Sequence, residues 1–443
     1  MSDRTWIAHC LASCFLSGDW SAPGMEAAAL SAMGEESAPQ WLRDLVAEIL
    51  AQATTPYPPS MGKLSRLIQA STALHALMAS EAKLPDFEEL VEPPLRFLPT
   101  PAFRDSGVPR LVTLHDLSAW LNLPVPQVEW LADVEGYRAS AASEPTRHYR
   151  YTWMPKKSGP PRLIEAPKPL LKGLQRKILR EILDRVPVHD CAHGFRKKHS
   201  CMTAAQLHAG EDVVATVDLK DFFPSIPIRR VHGLFRCLGY PWNVARYLTG
   251  LCSTATPTDV FEALPAKDRH GWESRAALQQ QHLPQGAPTS PALANLCAWR
   301  LDCRLGGLAK RADARYTRYG DDLAFSGDHA FARHIDGFLA RVAAICEDAG
   351  LPVNRRKTRI MGRSGRQHVT GLVVNRHINV PRDRYDRLKA TLFNCVRHGP
   401  AAQNRDGHAD FRAHLDGRIT WVENVNLHRG HRLRLLFQRI EWG

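Results

Sequence analysis

The sequence contains no long uninterrupted run of apolar residues. It has no stretch of about 18 apolar residues, the usual minimum for a membrane-spanning helix. The N-terminal stretch MSDRTWIAHCLASCFLSGDW has Asp3 ahead of its apolar part, His9 within that part, and no small-residue cleavage site. These features exclude a typical secretory signal. The sequence therefore predicts a cytoplasmic protein with no membrane partner.

Cysteine pairs with metal-binding or redox spacing are also lacking. The ten cysteines are scattered along the chain, without a Cys-x-x-Cys pair or a compact Cys/His cluster. Cys10 and Cys14 would share one face of a predicted helix, where core packing is the expected role. The pattern argues against a disulfide framework and a structural zinc site, and it predicts a protein with reduced thiols.

Acidic residues are scarce in most of the chain, although the first segment is rich in them. The whole sequence has a net charge of +13. Residues 1–95 hold five Lys and Arg against twelve Asp and Glu, a net charge of −7, which leaves +20 for residues 96–443. Such a basic excess favours a polyanionic partner such as nucleic acid, because phosphate contacts supply most non-specific affinity. A well-solvated basic surface is the alternative.

The chain of 443 residues is too long for one hydrophobic core, so roughly two to three domains are expected. The first segment is helical in pattern, and APQWLRDLVAEILAQA places one apolar stripe along a helix, formed by Trp41, Leu42, Leu45, Val46 and Leu50. The stretch LPDFEELVEPPLRFLPTP is punctuated by proline and predicts a linker. The stretch TLHDLSAWLNLPVPQVEWLADVEGY predicts two short helices separated by the LPVP break.

Carboxylates occur at the ends of two predicted β elements. The stretch RYTRYGDDLAFSG predicts a hairpin with Asp321 and Asp322 at its tip, and EDVVATVDLKDFFPSI predicts a strand that ends in Asp218. Two-metal phosphoryl transfer needs carboxylates that converge from separate rigid elements, which these could supply to two Mg²⁺ ions. The backbone carbonyl of Leu219 could complete one metal shell. A solvated acidic turn is the alternative.

Three further stretches carry groups suited to nucleotide chemistry. LPQGAPTSP is a loop that enters a helix and carries Gln285 and Gly286, where a template–primer pair would meet a nucleotide. GLPVNRRKTRI carries Lys357, a cation able to neutralise or protonate departing pyrophosphate. MPKKSGPPRLIEAPKP predicts a hairpin flap whose Lys156 and Arg162 are suited to clamping a triphosphate. Taken alone, LPQGAPTSP would be an ordinary capped helix and GLPVNRRKTRI a basic surface.

The order of these motifs resembles the fingers and palm of reverse transcriptases. The motifs in chain order are RLIEAPKP with LQRKIL, HGFRKKHS, DLKDFFPSI, LPQGAPTSP, YGDD and GLPVNRRKT. The resemblance implies an α+β fold of the right-hand polymerase type, with fingers, a palm built on an antiparallel sheet, and a helical thumb. The domains then expected are an acidic helical N-terminal extension over 1–95, a helical lead-in over 96–148, fingers and palm over 149–375, and a basic helical thumb over 376–443.

Two stretches make the chain most similar to retron reverse transcriptases. HGFRKKHSCMTAAQLHAG matches an insertion of that family whose usual form is Asn-Ala-x-x-His; Ala205 and His208 match, whereas Ala204 replaces the Asn. HVTGLVVN contains the Val-Thr-Gly element that lies near the thumb in retrons. The resemblance implies RNA recognition by His208, Thr370 and Gly371. Architectural roles for a buried His and a strand-end Thr-Gly are the alternative.

The thumb is predicted as three helices rich in Arg and His. YDRLKATLFNCVRHGP, HADFRAHLDGRITWVENV and HRLRLLFQRIEW carry its apolar positions. If exposed, Arg429, His431, Arg432 and Arg434 would contact phosphates of a bound duplex, whereas the Leu and Ile positions form the core. We predict Arg429 and Arg432 as RNA-binding residues.

What the resemblance implies is an RNA-directed DNA polymerase. Such enzymes bind a cognate structured non-coding RNA, prime from an RNA 2′-hydroxyl, use dNTPs and two Mg²⁺ ions, and make a branched RNA–DNA product, often in anti-phage defence with an effector protein. Another bacterial reverse transcriptase, of the abortive-infection or intron-related kind, is the alternative. An idle RNA-binding scaffold is a further one. Gly320 keeps an RNA-dependent RNA polymerase open, because Gly-Asp-Asp is common among those enzymes.

The sugar of the product is predicted from a residue beyond the first aspartate. Phe223 lies five positions after Asp218, where a large ring in a reverse transcriptase palm leaves no room for a ribose 2′-hydroxyl. We therefore predict DNA as the product and Asp221, Phe222 and Phe223 as nucleotide-binding residues. The alternative is that both phenylalanines belong to the core.

Overall fold

The structure is a computed structural model, and it describes the chain apart from residues 1–2, 18–19, 53–58, 60, 81–83, 88–95, 135–145, 157–159, 265–270 and 443. The chain divides into two compact units. The first comprises Met1–Leu98 with Leu111–Asp116 and Gly239–Val244, and the second comprises Pro99–Arg110, Leu117–Leu238 and Ala245–Gly443.

The early part of the first unit is helical, as the sequence predicts. The helix bounds are α1 Asp3–Ser17, α2 Ala22–Met33, α3 Gln40–Gln52, α4 Met61–Ala70 and α5 Thr72–Ala79. Ser21 and Ser71 cap α2 and α5, where their hydroxyls accept hydrogen bonds from the amides of Gly24 (3.3 Å) and Leu74 (3.2 Å). Each cap satisfies an amide that has no partner within its helix.

These helices enclose a hydrophobic core of their own. The apolar stripe predicted for α3 is its buried face, where Leu42, Leu45 and Val46 are fully buried and Trp41 and Leu50 pack at the edge. Core residues of the other helices complete the cluster, among them Leu11, Phe15, Met25, Leu64 and Leu74. The described helices of the acidic segment therefore form a packed module.

The second unit is built on a four-stranded antiparallel sheet. The strands of the chain are β1 Tyr149–Met154, β2 Arg162–Pro167, β3 Val213–Asp218, β4 Arg315–Tyr319, β5 Asp322–Gly327, β6 Arg359–Gly362, β7 His368–Val369 and β8 Leu372–Val373. The central sheet has the order β4-β5-β3-β6, while β1 pairs with β2 and β7 with β8, each pair antiparallel. Residues 157–159, in the predicted Lys-Lys-Ser-Gly turn between β1 and β2, lie outside the described residues.

The remaining helices lie mostly in the second unit, and some of them were predicted from the sequence. Their bounds are α6 Leu114–Leu121, α7 Val125–Ala132, α8 Pro169–Glu181, α9 Cys201–Gln206, α10 Phe222–Ser225, α11 Ile228–Cys237, α12 Trp242–Leu251, α13 Thr258–Glu262, α14 Trp272–Gln279, α15 Ser290–Cys297, α16 Trp299–Arg311, α17 His329–Arg333, α18 Ile335–Asp348, α19 Arg382–His398, α20 Phe411–Val425 and α21 Leu427–Gln438. Helices α6 and α7 are the two predicted around the LPVP break, and α19, α20 and α21 are the three predicted near the C-terminus. Within the described residues, no helix has the length and apolarity to cross a membrane.

The last three helices share one core with the end of the sheet region. Leu388, Leu392, Leu415, Ile419 and Leu433 are buried together with residues of β7, β8 and the segment after them, including Val369, Leu372, Val374 and Val380. This continuous packing fixes the Val-Thr-Gly element against the helices that follow it.

Candidate active site

Three aspartates come together at one end of the central sheet. Asp218 is the last residue of β3 and Asp322 the first of β5, and the two face each other in the antiparallel register. Asp321 lies in the turn between β4 and β5. Directly opposed residues of such a pair have Cβ atoms about 4.5–5.5 Å apart. The sheet thus brings the predicted acidic residues together from two elements.

Backbone hydrogen bonds hold the ends of these elements in place. The amide of Leu219 donates to the carbonyl of Asp321 at 2.9 Å, and the amide of Asn354 donates to the carbonyl of Asp218 at 2.7 Å. Gly320, ahead of the aspartates, has a φ of +66°. A residue with a side chain is strained in that conformation, so the hairpin turn itself favours glycine there.

Lys357 is paired with the first aspartate. Its Nζ donates to Asp218 Oδ1 at 2.8 Å, with the lysine side chain 61% exposed and the aspartate side chain 13% exposed. The sequence predicted a cation for pyrophosphate at this position. In this structure the same cation neutralises a predicted metal ligand.

The other two carboxyls are destabilised as anions. Burial and the nearby charge of Asp218 raise the pKa of Asp321. Burial, together with the charges of Asp321 and Asp218, raises the pKa of Asp322 to about 6, although part of this side chain reaches solvent. Removing carboxylates from water and placing them side by side both disfavour the charged form.

The donor set fits a hard divalent cation. Among the described residues, no three His, Cys, Asp or Glu side chains are already arranged as a metal site, and the Asp218 carboxylate is engaged by Lys357. The candidate donors are nevertheless all oxygens, the type that Mg²⁺ prefers. A divalent cation would also relieve the mutual repulsion that raises the pKa of Asp322.

The predicted triphosphate clamp lies close to the aspartates. Lys156 and Arg162 are exposed residues of the β1–β2 hairpin region, here called the flap. Burial and the charge of Arg162 lower the pKa of Lys156, and the charges of Asp218, Asp221 and Lys357 also act on it. The flap cations and the aspartates therefore share one electrostatic environment.

The loop that carries Gln285 is fixed to the flap. The backbone carbonyl of Gln285 accepts a hydrogen bond from the amide of Glu165, in β2, at 2.9 Å. Gly286 has a φ of +137°, and a Cβ added there would lie 2.9 Å from the carbonyl oxygen of Glu165. Glycine is therefore required for the loop to approach β2 this closely. Gln285 itself is half-buried.

The two adjacent phenylalanines have different environments. Phe222 and Phe223 lie on the short helix α10 and not on a strand, so the alternation of strand residues does not apply to them. Phe222 is 4% exposed, beneath the guanidinium of Arg318, and its ring belongs to the core. Its prediction as a nucleotide contact is not supported by this burial. Phe223 is half-exposed, and Asp221 is exposed, with a carboxylate that accepts a hydrogen bond from the Ser274 hydroxyl at 3.1 Å.

A buried ionic network beneath the hairpin was not predicted. Arg318 is fully buried and donates to both carboxylate oxygens of Asp302 (2.8 and 2.6 Å) and to the side-chain oxygen of Asn295 (2.7 Å). The Tyr316 hydroxyl also donates to Asp302 at 2.8 Å. The sequence carries a signal for this network, because Asp302 lies on the apolar face of α16 and Arg318 lies in a buried strand.

A second buried pair, also not predicted, joins Glu165 of β2 to His282. Glu165 accepts hydrogen bonds from the Thr256 hydroxyl at 2.7 Å and from His282 Nε2 at 2.8 Å. His282 Nδ1 lies 2.8 Å from the carbonyl oxygen of Gln280. Both ring nitrogens thus face acceptors, an arrangement that favours the doubly protonated imidazolium. Burial alone would lower the pKa of His282, but the charge and hydrogen bond of Glu165 raise it.

The predicted RNA-binding histidine is an internal residue. His208 is fully buried, with Nδ1 2.7 Å from the Ser326 hydroxyl and Nε2 2.8 Å from the Thr317 hydroxyl. Burial lowers its pKa to about 3, so the ring is neutral. The ring joins the end of α9 to β4 and β5 and has no surface to offer RNA. Its direct contact with RNA is therefore not retained.

Thr370 and Gly371 line the same cleft as the aspartates. They border a cavity of about 310 Å³ whose lining also includes Asp218, Asp322 and Lys357. The Thr370 hydroxyl donates a hydrogen bond to the Cys201 carbonyl at 3.0 Å, which links this turn to α9. The predicted RNA-recognition turn and the predicted metal ligands are therefore neighbours in space.

The thumb arginines differ in their surroundings. Arg432 is exposed. Arg429 is half-buried, donates to Asn379 at 3.2 Å and lies over the ring of Tyr385. Arg434 is bound to two acidic residues of α20, Asp416 and Glu423. Its expected phosphate contact is not supported, because its guanidinium already joins two helices of the thumb.

Comparisons with known proteins agree with these features. Residues 154–374 match the family model described as reverse transcriptase (RNA-dependent DNA polymerase). The chain is 38% identical over 327 residues to the retron Mx65 reverse transcriptase of Myxococcus xanthus, covering 74% of this chain and 71% of that protein. It is 37% identical to the retron Mx162 reverse transcriptase of the same organism, covering 68% of this chain and 62% of that protein.

More distant similarities follow. The retron Ec86 reverse transcriptase of Escherichia coli is 28% identical over 348 residues, which cover 78% of this chain and 94% of that protein. A solved foamy viral protease-reverse transcriptase in complex with double-stranded DNA matches with a TM-score of 0.30 and 16% identity, covering 55% of this chain and 32% of that chain. With the matched family model and the retron similarity together, the chain belongs to the retron-type reverse transcriptases and is an RNA-directed DNA polymerase.

Proposed function

We propose that this polymerase copies part of a cognate structured RNA into single-stranded DNA at the three aspartates. The observation that carries the proposal is the pairing of Asp218 with Asp322 across β3 and β5, with Asp321 in the adjoining turn. Carboxylates from separate rigid elements are what metal-assisted phosphoryl transfer requires.

The aspartates and the Leu219 carbonyl would hold Mg²⁺. When bound, two Mg²⁺ ions would supply activation of the attacking hydroxyl and stabilisation of the leaving pyrophosphate. The protein groups would do the rest: Lys156 and Arg162 bind the triphosphate, and the Gln285 loop meets the nucleotide beside the template. Lys357 moves from Asp218 to the pyrophosphate as charge develops there.

Sugar selection is assigned to Phe223. The ring is half-exposed, while its neighbour Phe222 is buried. Only Phe223 is therefore available to exclude a 2′-hydroxyl by its bulk. This supports DNA as the product, and the φ of +66° at Gly320 explains the glycine there by the shape of the turn.

RNA recognition is assigned to the cleft and the thumb. Thr370 and Gly371 lie beside the aspartates, and Arg429 and Arg432 lie on α21. We propose that they hold the template RNA, that synthesis starts from an RNA 2′-hydroxyl, and that the branched product serves anti-phage defence with an effector protein. Similarity to retron reverse transcriptases and the basic excess of residues 96–443 support this part.

Nucleic acid that co-purifies with the protein tests the proposal. The full chain would be isolated from its host, and the bound nucleic acid sequenced before and after RNase treatment. We expect one structured RNA joined covalently to a short DNA. RNase treatment should then shorten the isolated nucleic acid but not remove it. RNA alone, or DNA with no covalent RNA, would contradict priming from a 2′-hydroxyl.

A matched pair of aspartate variants tests the site. Asp321→Asn should abolish Mg²⁺-dependent dNTP incorporation while RNA binding stays within about twofold, because the carboxylate would bind metal and not RNA. Asp313→Asn is the control, since Asp313 is exposed and its φ of +46° also suits asparagine. Normal synthesis by Asp321→Asn would disprove the assignment and leave an idle scaffold in consideration.

A further inference from the structure

Phe195 is an exposed aromatic residue beside the aspartates. Its side chain is 53% exposed, although apolar rings are stabilised by burial. Its backbone has a φ of +57°, which is strained for any residue with a Cβ atom. Strained residues of this kind cluster at functional sites, where the surrounding structure imposes them. Core packing does not account for this ring.

The segment that carries the ring is fixed to the hairpin. The amide of Arg318, in β4, donates to the carbonyl of Cys191 at 2.7 Å, and its carbonyl accepts from the amide of His193 at 2.8 Å. The Asn295 side chain donates to the carbonyl of Gly194 at 2.8 Å. Residues 191–194 therefore run alongside β4 and are held to it and to Asn295 by hydrogen bonds.

The ring lies against Gly320. A Cβ atom added at Gly320 would be 3.1 Å from Cε2 of Phe195 and 3.6 Å from its Cζ, and a Cβ added at Gly194 would be 2.6 Å from the Gly320 nitrogen. A Cβ atom at position 320 would be a tight contact, so the phenylalanine ring would have to shift by a few tenths of an ångström to accommodate it. The glycine before the two aspartates thus has a steric reason in addition to its φ.

On its other side the ring faces the predicted sugar-selecting residue. The centroids of Phe195 and Phe223 are 6.3 Å apart, with an angle of 48° between the rings, and Tyr319 is also 6.3 Å away. This is within the range in which aromatic pairs stabilise each other's orientation. Phe195 therefore occupies the space between the turn at Gly320 and Phe223.

We propose that Phe195 is a positioning residue for sugar selection. It supports the ring of Phe223 from the hairpin side, so that the pocket stays too narrow for a ribonucleoside triphosphate. Gly320 makes room for Phe195, which links the Gly-Asp-Asp form of the turn to the exclusion of ribose. The inference rests on the proposed function, in which Phe223 excludes the 2′-hydroxyl.

Primer extension on poly(rA)/oligo(dT) with dTTP or UTP tests this. The measured quantity is kcat/KM for dTTP divided by kcat/KM for UTP. Phe195→Ala should lower this ratio roughly two- to tenfold, the range expected from an aromatic pair. The change should come mainly from a higher kcat/KM for UTP. Phe195→Tyr keeps the ring and should restore the ratio. Gly320→Ala should lower it less, because the added Cβ atom shifts the ring by only a few tenths of an ångström.

A double variant and a control complete the design. In the Phe195→Ala background, Gly320→Ala should lower the ratio no further, because the ring that the added Cβ atom would shift is gone. Phe393→Ala removes a ring that is 48% exposed on α19 and should leave the ratio unchanged. An unchanged ratio in Phe195→Ala, or additive effects in the double variant, would overturn the inference while the polymerase assignment stands. Absence of dNTP incorporation by the unaltered chain, both on this duplex and on its co-purified RNA, would overturn the proposed function and this inference with it.

Discussion

At the scale of single residues, the ionised carboxylate of Asp322 lowers the stability of the folded, metal-free chain. Its pKa is raised to about 6 by burial and by two neighbouring carboxylates. A carboxyl whose pKa is raised on folding destabilises the folded chain wherever it is ionised. That destabilisation is fully present above pH 6 and diminishes as the pH falls from the folded pKa toward the unfolded value of about 3.9, because over this range the folded state binds a proton that the unfolded state does not.

Asp322→Asn should therefore stabilise the metal-free protein at pH 8. We expect a rise in Tm of roughly 1–3 °C, accompanied by loss of dNTP incorporation, and a smaller rise at pH 5, where the native residue is already protonated. Differential scanning calorimetry in EDTA at both pH values measures this. A lower Tm at pH 8 would show that the carboxylate is stabilised by partners and not repelled by them.

Lys357 provides a second prediction at this scale. Since its ammonium pairs with Asp218 at 2.8 Å, it competes with any cation that binds there. Lys357→Met should lower the Mg²⁺ concentration needed for half-maximal thermal stabilisation by roughly two- to fivefold, the effect of one partly exposed ion pair. The same variant should slow synthesis, because the proposed pyrophosphate contact is lost.

Arg355→Met is the matched control for this lysine. Arg355 is exposed in the same loop but pairs with Glu347 at 3.6 Å. We expect its Mg²⁺ midpoint to equal that of the unaltered chain. An unchanged midpoint in Lys357→Met would mean that the lysine and the cation do not share Asp218.

At the scale of elements, local pattern predicted much of the site. The β-branched run before Asp218, the alternation around the hairpin and the periodic helices of the thumb each report how one segment is buried. The structure contains β3, the β4–β5 hairpin and α19 to α21 where these patterns lie. Such patterns report which face is buried, but they do not report which partner covers it.

The contacts that sequence pattern missed join residues far apart in the chain. Glu165 and His282 are 117 positions apart, and His208 and Ser326 are 118 apart. A buried charge or imidazole can be recognised as unusual only when its partner is known. Pattern also did not show that Phe222 and Phe223 lie on the short helix α10, where Phe222 is buried and Phe223 is half-exposed.

The Glu165–His282 pair leads to a prediction about pH. The pKa of His282 is raised in the folded chain by Glu165, so its stabilisation is fully present below the unfolded value of about 6.5 and is lost as the pH rises through the folded pKa. In Glu165→Gln, a neutral imidazole can accept from the amide and keep every hydrogen bond. Urea unfolding should show stability falling between pH 6.5 and higher pH in the native chain and a flatter profile in the variant. Parallel profiles would contradict an imidazolium at this position.

At the scale of the whole molecule, charge is divided between segments. Residues 1–95 have a net charge of −7 and residues 96–443 a net charge of +20. The basic excess therefore lies in the part of the chain that carries the polymerase motifs. Its affinity for RNA should depend steeply on salt, because each neutralised phosphate releases bound counterions.

Two arginines of α21 separate this electrostatic role from a structural one. Arg432 is exposed, whereas Arg434 is bound to Asp416 and Glu423. Arg432→Ala should weaken RNA binding and reduce the slope of log K against log salt by about 0.7–1, the loss of one phosphate contact, with no change in Tm. Arg434→Ala should instead lower Tm by a few degrees and leave the slope of the folded protein unchanged, because it removes a link between two thumb helices.

Filter binding from low to high salt, with calorimetry on the same samples, measures both quantities. If the two variants gave equal slopes and equal Tm values, the distinction between a phosphate-binding arginine and a helix-joining arginine would be lost.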